Sequence, residues 1–128
     1  MIFGIGTDVV QIERIARLHE KYGEHFVRRL LLPAELEDFA AQRRPARFLA
    51  MRFAAKEAIV KAMGTGFSNG MWIRDVGVAS NELGRPGIIW SQRGQQLREQ
   101  LGIGEGHLTL TDEAGLVVAV AVLMRRVP

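Results

Sequence analysis

The chain has 128 residues, 48% apolar and 24% charged, with no cysteine. That size and balance suit one compact domain over residues 1–128 and exclude disorder, a disulfide framework, a thiolate nucleophile and a zinc–thiolate site. A net charge of +3 and a pI near 9.9, carried largely by arginine, favour a polyanionic partner: nucleic acid, a phosphorylated ligand or an acidic protein.

The opening residues are apolar, and residues 2–7 predict a short buried strand. Gly4 and Gly6 within it signal close approach by another backbone or by a ligand. Asp8 interrupts the run before a secretory leader forms, and no stretch approaches the ~20 apolar residues of a membrane span, so a cytoplasmic protein is expected. Residues 11–22 predict a helix with Ile12, Ile15, Leu18 and Tyr22 on one face, stopped by Gly23. A short helical segment over 25–32 follows, and Pro33 opens a further helix to about residue 43.

Pro45 separates that helix from a long one over 46–63 whose apolar residues point to nearly every side, the mark of a buried helix. Gly64 ends it. The second half turns to strands: 72–78, then 88–90 beyond a turn at Asn81 to Gly87, and a closing hairpin of 107–111 and 116–124. Between them, Ser91 caps a helix reaching residue 101. The last strand is almost wholly Val, Ala and Leu, so it is buried on both faces or against another subunit.

Two carboxylates lie inside these apolar elements, Asp8 at the end of the first strand and Glu57 midway along the long helix. A buried carboxylate is costly unless paired, hydrogen-bonded or metal-bound. Asp8 has a plain alternative as a helix N-cap, and Glu57 has one as the i, i+4 partner of Lys61. Two carboxylates without clustered His or Cys suit Mg²⁺ better than zinc. Lys61 stands one turn beyond Glu57, Arg47 falls roughly on the same side, and Arg52 and Lys56 form a second basic pair. A metal flanked by such cations makes a diphosphate site. The amides of Gly64 and Gly66 are further candidates, although they end a helix and so form no P-loop. On the first helix, Arg14, Arg17 and Lys21 form a basic stripe that is either a solvated face or a dock for an acidic protein; Glu13 and Glu20 beside them argue against nucleic acid.

Gly4-Ile-Gly-Thr-Asp8-Val-Val-Gln-Ile-Glu-Arg14 resembles the opening signature of the holo-[acyl-carrier-protein] synthase family. The stretch from Phe48 through Arg52, Lys56, Glu57 and Lys61 to Gly66 resembles its second signature. Asn81-Glu-Leu-Gly84-Arg-Pro86 resembles its Gly-x-Pro turn, and His107 to Glu113 its closing strand.

The resemblance implies a small α+β phosphopantetheinyl transferase fold, an antiparallel sheet packed on the long helix, assembling as a homotrimer with active sites between subunits. It implies Mg²⁺-dependent transfer of 4′-phosphopantetheine from coenzyme A to a serine of apo-acyl carrier protein, releasing adenosine 3′,5′-bisphosphate in support of fatty acid biosynthesis. Asp8 and Glu57 would hold the metal, and Lys61 would stabilise charge beside it. Arg52, Lys56, Gly64, Gly66, Gly84 and Pro86 would contact coenzyme A, and Arg14, Arg17 and Lys21 would meet the carrier. One departure stands out: Thr111-Asp112 occupies the place of a Ser/Thr-His pair, so that histidine's role does not transfer, and Glu57, Asp112 or a metal-bound water all stand as the base. A docking module without chemistry and a nucleotide hydrolase are the competing readings.

Overall fold

The computed structural model describes all 128 residues. Strand β1 (Ile2–Gln11) leads into α1 (Ile12–Tyr22), α2 (Glu24–Leu30), α3 (Pro33–Ala40) and the long α4 (Pro45–Met63). After a short 3-10 turn at Ile73–Asp75 come β2 (Val76–Ser80), β3 (Pro86–Trp90), α5 (Gln92–Gln100), β4 (Ile103–Glu113) and β5 (Leu116–Arg125). The result is an α+β architecture. An antiparallel sheet in the order β1-β5-β4 lies on α4, and β2 and β3 form a separate antiparallel pair. No helix is long and apolar enough to cross a membrane.

The β4–β5 hairpin turns on Ala114 and Gly115, both at positive φ (53° and 79°), the conformation of a two-residue turn that matches strand twist. Along β5, Val117, Ala119, Ala121 and Leu123 are fully buried against α4. Small side chains there let helix and sheet approach closely. β1 takes this further: a Cβ on Gly4 would run into the carbonyl oxygen of Ala62, and one on Gly6 into that of Ala58. The backbone that these two glycines admit is therefore α4 itself. As expected, α4 is apolar nearly all round, and its buried residues include Leu49, Ala54, Ala55, Ala58, Ile59 and Val60.

Three expectations need correction. β1 runs four residues past its predicted end, to Gln11, because Asp8 to Gln11 continue in register with Ala119 to Leu116. Asp8 is thus a mid-strand residue and not a helix cap. β1 is also buried on one side only: Ile5 and Val9 are 61% and 58% exposed. They share the outer sheet face with the half-buried Val118, Val120 and Val122 of β5. The predicted strand over 72–78 begins only at Val76, because the Asp75 carboxylate accepts the Trp72 N–H (2.8 Å) and folds the preceding residues into a turn.

Candidate active site

Alternation along β1 puts Gly4, Gly6, Asp8 and Val10 on the face toward α4. With Gly4 against Ala62 and Gly6 against Ala58, the strand runs antiparallel to the helix and delivers Asp8 to the stretch of α4 holding Glu57 and Lys61. Lys61 Nζ donates to Asp8 Oδ1 (3.1 Å) and to the Thr7 carbonyl (3.1 Å). Lys61 therefore crosses to the strand, and the i, i+4 pairing with Glu57 is not what engages it. Lys61 is half-exposed and Asp8 largely covered.

Glu57 is partly buried on the same face. Burial pushes its carboxyl above the ordinary glutamate range, and the Asp8 charge adds to that; Lys61 and Arg14 oppose it. Two carboxylates thus face one another with only partial cationic compensation. A hard dication would relieve that repulsion, and two protein carboxylates completed by water and phosphate oxygens suit Mg²⁺. No group of three or more His, Cys, Asp or Glu is gathered anywhere, so the chain offers these two carboxylates and no all-protein cage.

The electrostatic reach of Arg14 to Glu57 ties the basic stripe of α1 to this pair. Arg14, Arg17 and Lys21 are all exposed. Beside the stripe an apolar groove of about 420 Å³ opens between α1 and α2, lined by Leu18, Phe26 and Leu30 and edged by Arg29.

Arg52 and Lys56 lie elsewhere. Lys56 is fully buried: its Nζ pairs with Glu35 Oε1 at 2.7 Å and donates to the carbonyls of Leu30 and Ile73. Its three donors are engaged, so it is a structural pillar with nothing left for a phosphate. Desolvation lowers its pKa, and Glu35 opposes that. Glu35 also accepts the N–H groups of Leu32 and Val78 (both 3.0 Å), and a side chain at Gly77 would collide with it. Arg52 Nε is 3.3 Å from Glu35 Oε2, and the guanidinium stacks on Phe48 at 4.4 Å. It is 6% exposed, on the wall of a cleft that it shares with Arg47 and Ser80. Arg47 itself pairs with Asp112 and not with the Glu57 face.

The helix-terminal glycines are also committed. Gly64 N–H bonds Lys61 O (3.0 Å) and Gly66 N–H bonds Val60 O (3.1 Å), closing the end of α4, so neither amide is available as a phosphate donor. Gly84, at φ 80°, and Pro86 belong to the β2–β3 turn, where the Asn81 side-chain amide oxygen accepts the N–H groups of Leu83 and Arg85. That turn borders a cleft of about 350 Å³ that reaches Glu105 and His107 of β4. Since β4 and β1 are opposite edges of the sheet, one chain does not bring Gly84 and Pro86 to Asp8.

Sequence reasoning missed Glu35 and the partner of Arg47. Glu35 reads as an ordinary first-turn acid, and only its total burial reveals its role. Its one signal was indirect: two cations, Arg52 and Lys56, on a helix too apolar to leave them solvated.

The family model of the 4′-phosphopantetheinyl transferase superfamily matches residues 4–121. A holo-[acyl-carrier-protein] synthase of Vibrio cholerae serotype O1 is 43% identical over 126 residues, covering 98% of this chain and all of the relative. The crystal structure of the Neisseria meningitidis holo-[acyl-carrier-protein] synthase superposes with a TM-score of 0.93 at 40% identity, over 98% of this chain and all of that one. The Bacillus anthracis holo-(acyl-carrier-protein) synthase in complex with CoA (3′,5′-ADP) gives a TM-score of 0.81 at 31% identity, over 99% of each chain. With Asp8, Glu57 and Lys61 gathered on a fold shared over its whole length, the chain belongs to the holo-[acyl-carrier-protein] synthase enzymes of the 4′-phosphopantetheinyl transferase superfamily.

Proposed function

We propose that residues 1–128 form one transferase domain that moves 4′-phosphopantetheine from coenzyme A to a serine of apo-acyl carrier protein in the cytoplasm, in support of fatty acid biosynthesis. The observation that carries this reading is the convergence of Asp8, Glu57 and Lys61 where β1 packs on α4. The Bacillus anthracis relative, bound to CoA (3′,5′-ADP), supports coenzyme A as the donor.

In this reaction the serine oxygen attacks the β-phosphorus of the donor. The bond from that phosphorus to the bridging oxygen breaks, and adenosine 3′,5′-bisphosphate leaves with the electron pair. Such a transfer depends on positioning and charge neutralisation more than on covalent catalysis. Asp8 and Glu57 are the residues that would hold Mg²⁺, which when bound polarises the phosphoryl oxygens and lowers the charge on the leaving phosphate. Lys61, now on Asp8, is half-exposed and free to turn toward a non-bridging oxygen. Glu57, at the rim beside Asp8 and Lys61, is suited to take the serine proton directly or through a water.

The exposed stripe of Arg14, Arg17 and Lys21 would steer an acidic carrier toward this pair, and the groove at Leu18 and Phe26 would seat an apolar side chain from it. A homotrimer fits the open sheet face. Ile5, Val9, Val118, Val120 and Val122 form an apolar surface only partly covered by their own chain, and a neighbour there would bring Gly84 and Pro86 across to Asp8.

The test is an intact-mass measurement. Incubation with coenzyme A, Mg²⁺ and an apo-carrier protein known to be competent should add one phosphopantetheine to the carrier. An unchanged carrier mass with folded protein would refute the reading, and phosphate release from nucleoside triphosphates instead would favour hydrolysis.

A further inference from the structure

Arg47 and Asp112 form the one ion pair in the molecule made by two parallel charge-assisted bonds, Nε to Oδ2 at 2.9 Å and Nη2 to Oδ1 at 2.8 Å. The pair joins the first turn of α4 to the end of β4. Such a fork fixes a guanidinium in plane and direction as a single bond does not. Both carboxylate oxygens of Asp112 are occupied, which leaves three further N–H groups on Arg47.

Those groups belong to a side chain lining a cleft of about 290 Å³ whose wall also carries Arg52 and Ser80. Arg52 Nε is buried against Glu35 Oε2, 3.3 Å away but out of line, so no hydrogen bond fixes that end of the guanidinium. The only acid on the cleft wall is Asp38, 3.5 Å from Arg52 and itself half-exposed. Two guanidinium groups on one cleft wall make a receptor for an anionic oxygen.

Asp112 is badly placed as a base. Arg47 lies ten residues before Glu57 on α4, roughly 15 Å along the axis at 1.5 Å per residue, so the Arg47–Asp112 pair stands well away from the carboxylate pair of its own chain. The hydrogen bonds from Arg47 also hold Asp112 below the usual carboxylate range, which weakens it as a proton acceptor.

We infer that Asp112 is a positioning residue, holding the Arg47 guanidinium beside Arg52 so that it contacts an anionic oxygen of the coenzyme A donor, and that Asp112 takes no proton in the transfer. This rests on the transferase reading for its substrate. It also narrows the base to Glu57 or a metal-bound water.

The experiment has two arms. In transfer assays, Asp112→Asn should raise KM for coenzyme A about tenfold, the scale of one charged hydrogen bond, with kcat within a few-fold and its acidic limb unmoved. A kcat loss of about a hundredfold or more at unchanged KM, with that limb abolished, would make Asp112 the base and overturn the inference. In calorimetric titration with coenzyme A, Arg47→Ala and Asp112→Ala should each weaken binding, and the double variant should bind no more weakly than Arg47→Ala alone. Additive losses, or unchanged affinity in Asp112→Ala, would overturn it; Asp112→Asn substitutes in the cycle if the alanine variant does not fold. A wild-type chain that binds coenzyme A but transfers nothing would refute the transferase reading, and the binding cycle would still judge the pair.

Discussion

Two clusters of charged residues sit on different sides of α4, and adjacent residues anchor them. Lys56 turns inward to Glu35, with every donor satisfied and no solvent contact. Glu57 turns to Asp8 and Lys61 at the rim, where its charge is only partly compensated. Burial alone does not separate structure from chemistry here, since the more deeply buried pair, Lys56 with Glu35, is the inert one. The distinguishing feature is completeness: a satisfied ion pair holds elements together, while an unsatisfied carboxylate pair has capacity left for a cation and a substrate.

The comparison breaks most directly at Lys56. Lys56→Met leaves the buried Glu35 with Arg52 as its one cationic partner and should cost about 3 kcal/mol, the low end for breaking a buried pair and a large share of a stability of about 5–15 kcal/mol for a domain of this size. Urea unfolding measures it; a loss below about 1 kcal/mol would mean that the buried pair is not what ties α3, α4 and β2 together. Glu57→Gln should do the reverse, lowering kcat by about a hundredfold or more while leaving the unfolding midpoint unchanged or slightly higher. A variant as active as the parent would remove Glu57 from the site.

Gly6→Ala probes the packing that joins the two regions. Its Cβ meets the carbonyl of Ala58, a backbone atom with no rotamer to yield, so β1 must shift off α4. The expected cost is about 1–3 kcal/mol, with a fall in activity because Asp8 rides on the same strand. A fully active, fully stable variant would contradict the close contact.

The smallest effect is in pH. The Glu57 pKa is raised by burial and by Asp8, so the folded state holds that proton more tightly than the unfolded chain. Its stabilisation is full in acid and is lost as pH rises through the raised value. Wild type should therefore lose stability between the ordinary glutamate range and neutrality more steeply than Glu57→Gln, and saturating Mg²⁺ should flatten the wild-type curve. Parallel curves without metal would show that burial and Asp8 do not raise the Glu57 pKa.

Much of this was legible in the sequence. The length and all-round apolarity of α4 exposed Glu57 as an anomaly, and the glycines of β1 announced the close packing that delivers Asp8. Lys56 was misread because a cation in a signature looks alike whether it faces substrate or core, and its partner Glu35 lies on another helix. Asp8 was read near a strand end because the strand's continuation depends on register with β5, which no local pattern carries. The commitment of the Gly64 and Gly66 amides to the end of α4 is likewise a matter of backbone geometry that Gly-Thr-Gly does not specify.

The measurement that bears most directly on the carboxylate pair is binding of Mn²⁺, as a paramagnetic substitute for Mg²⁺, in the presence of coenzyme A. Titration followed by electron paramagnetic resonance should show one ion bound per chain in the wild type and in Arg17→Ala, and none at the same concentrations in Asp8→Asn or Glu57→Gln. Undiminished binding in both carboxylate variants would contradict the assignment of Asp8 and Glu57 as the site of the chemistry.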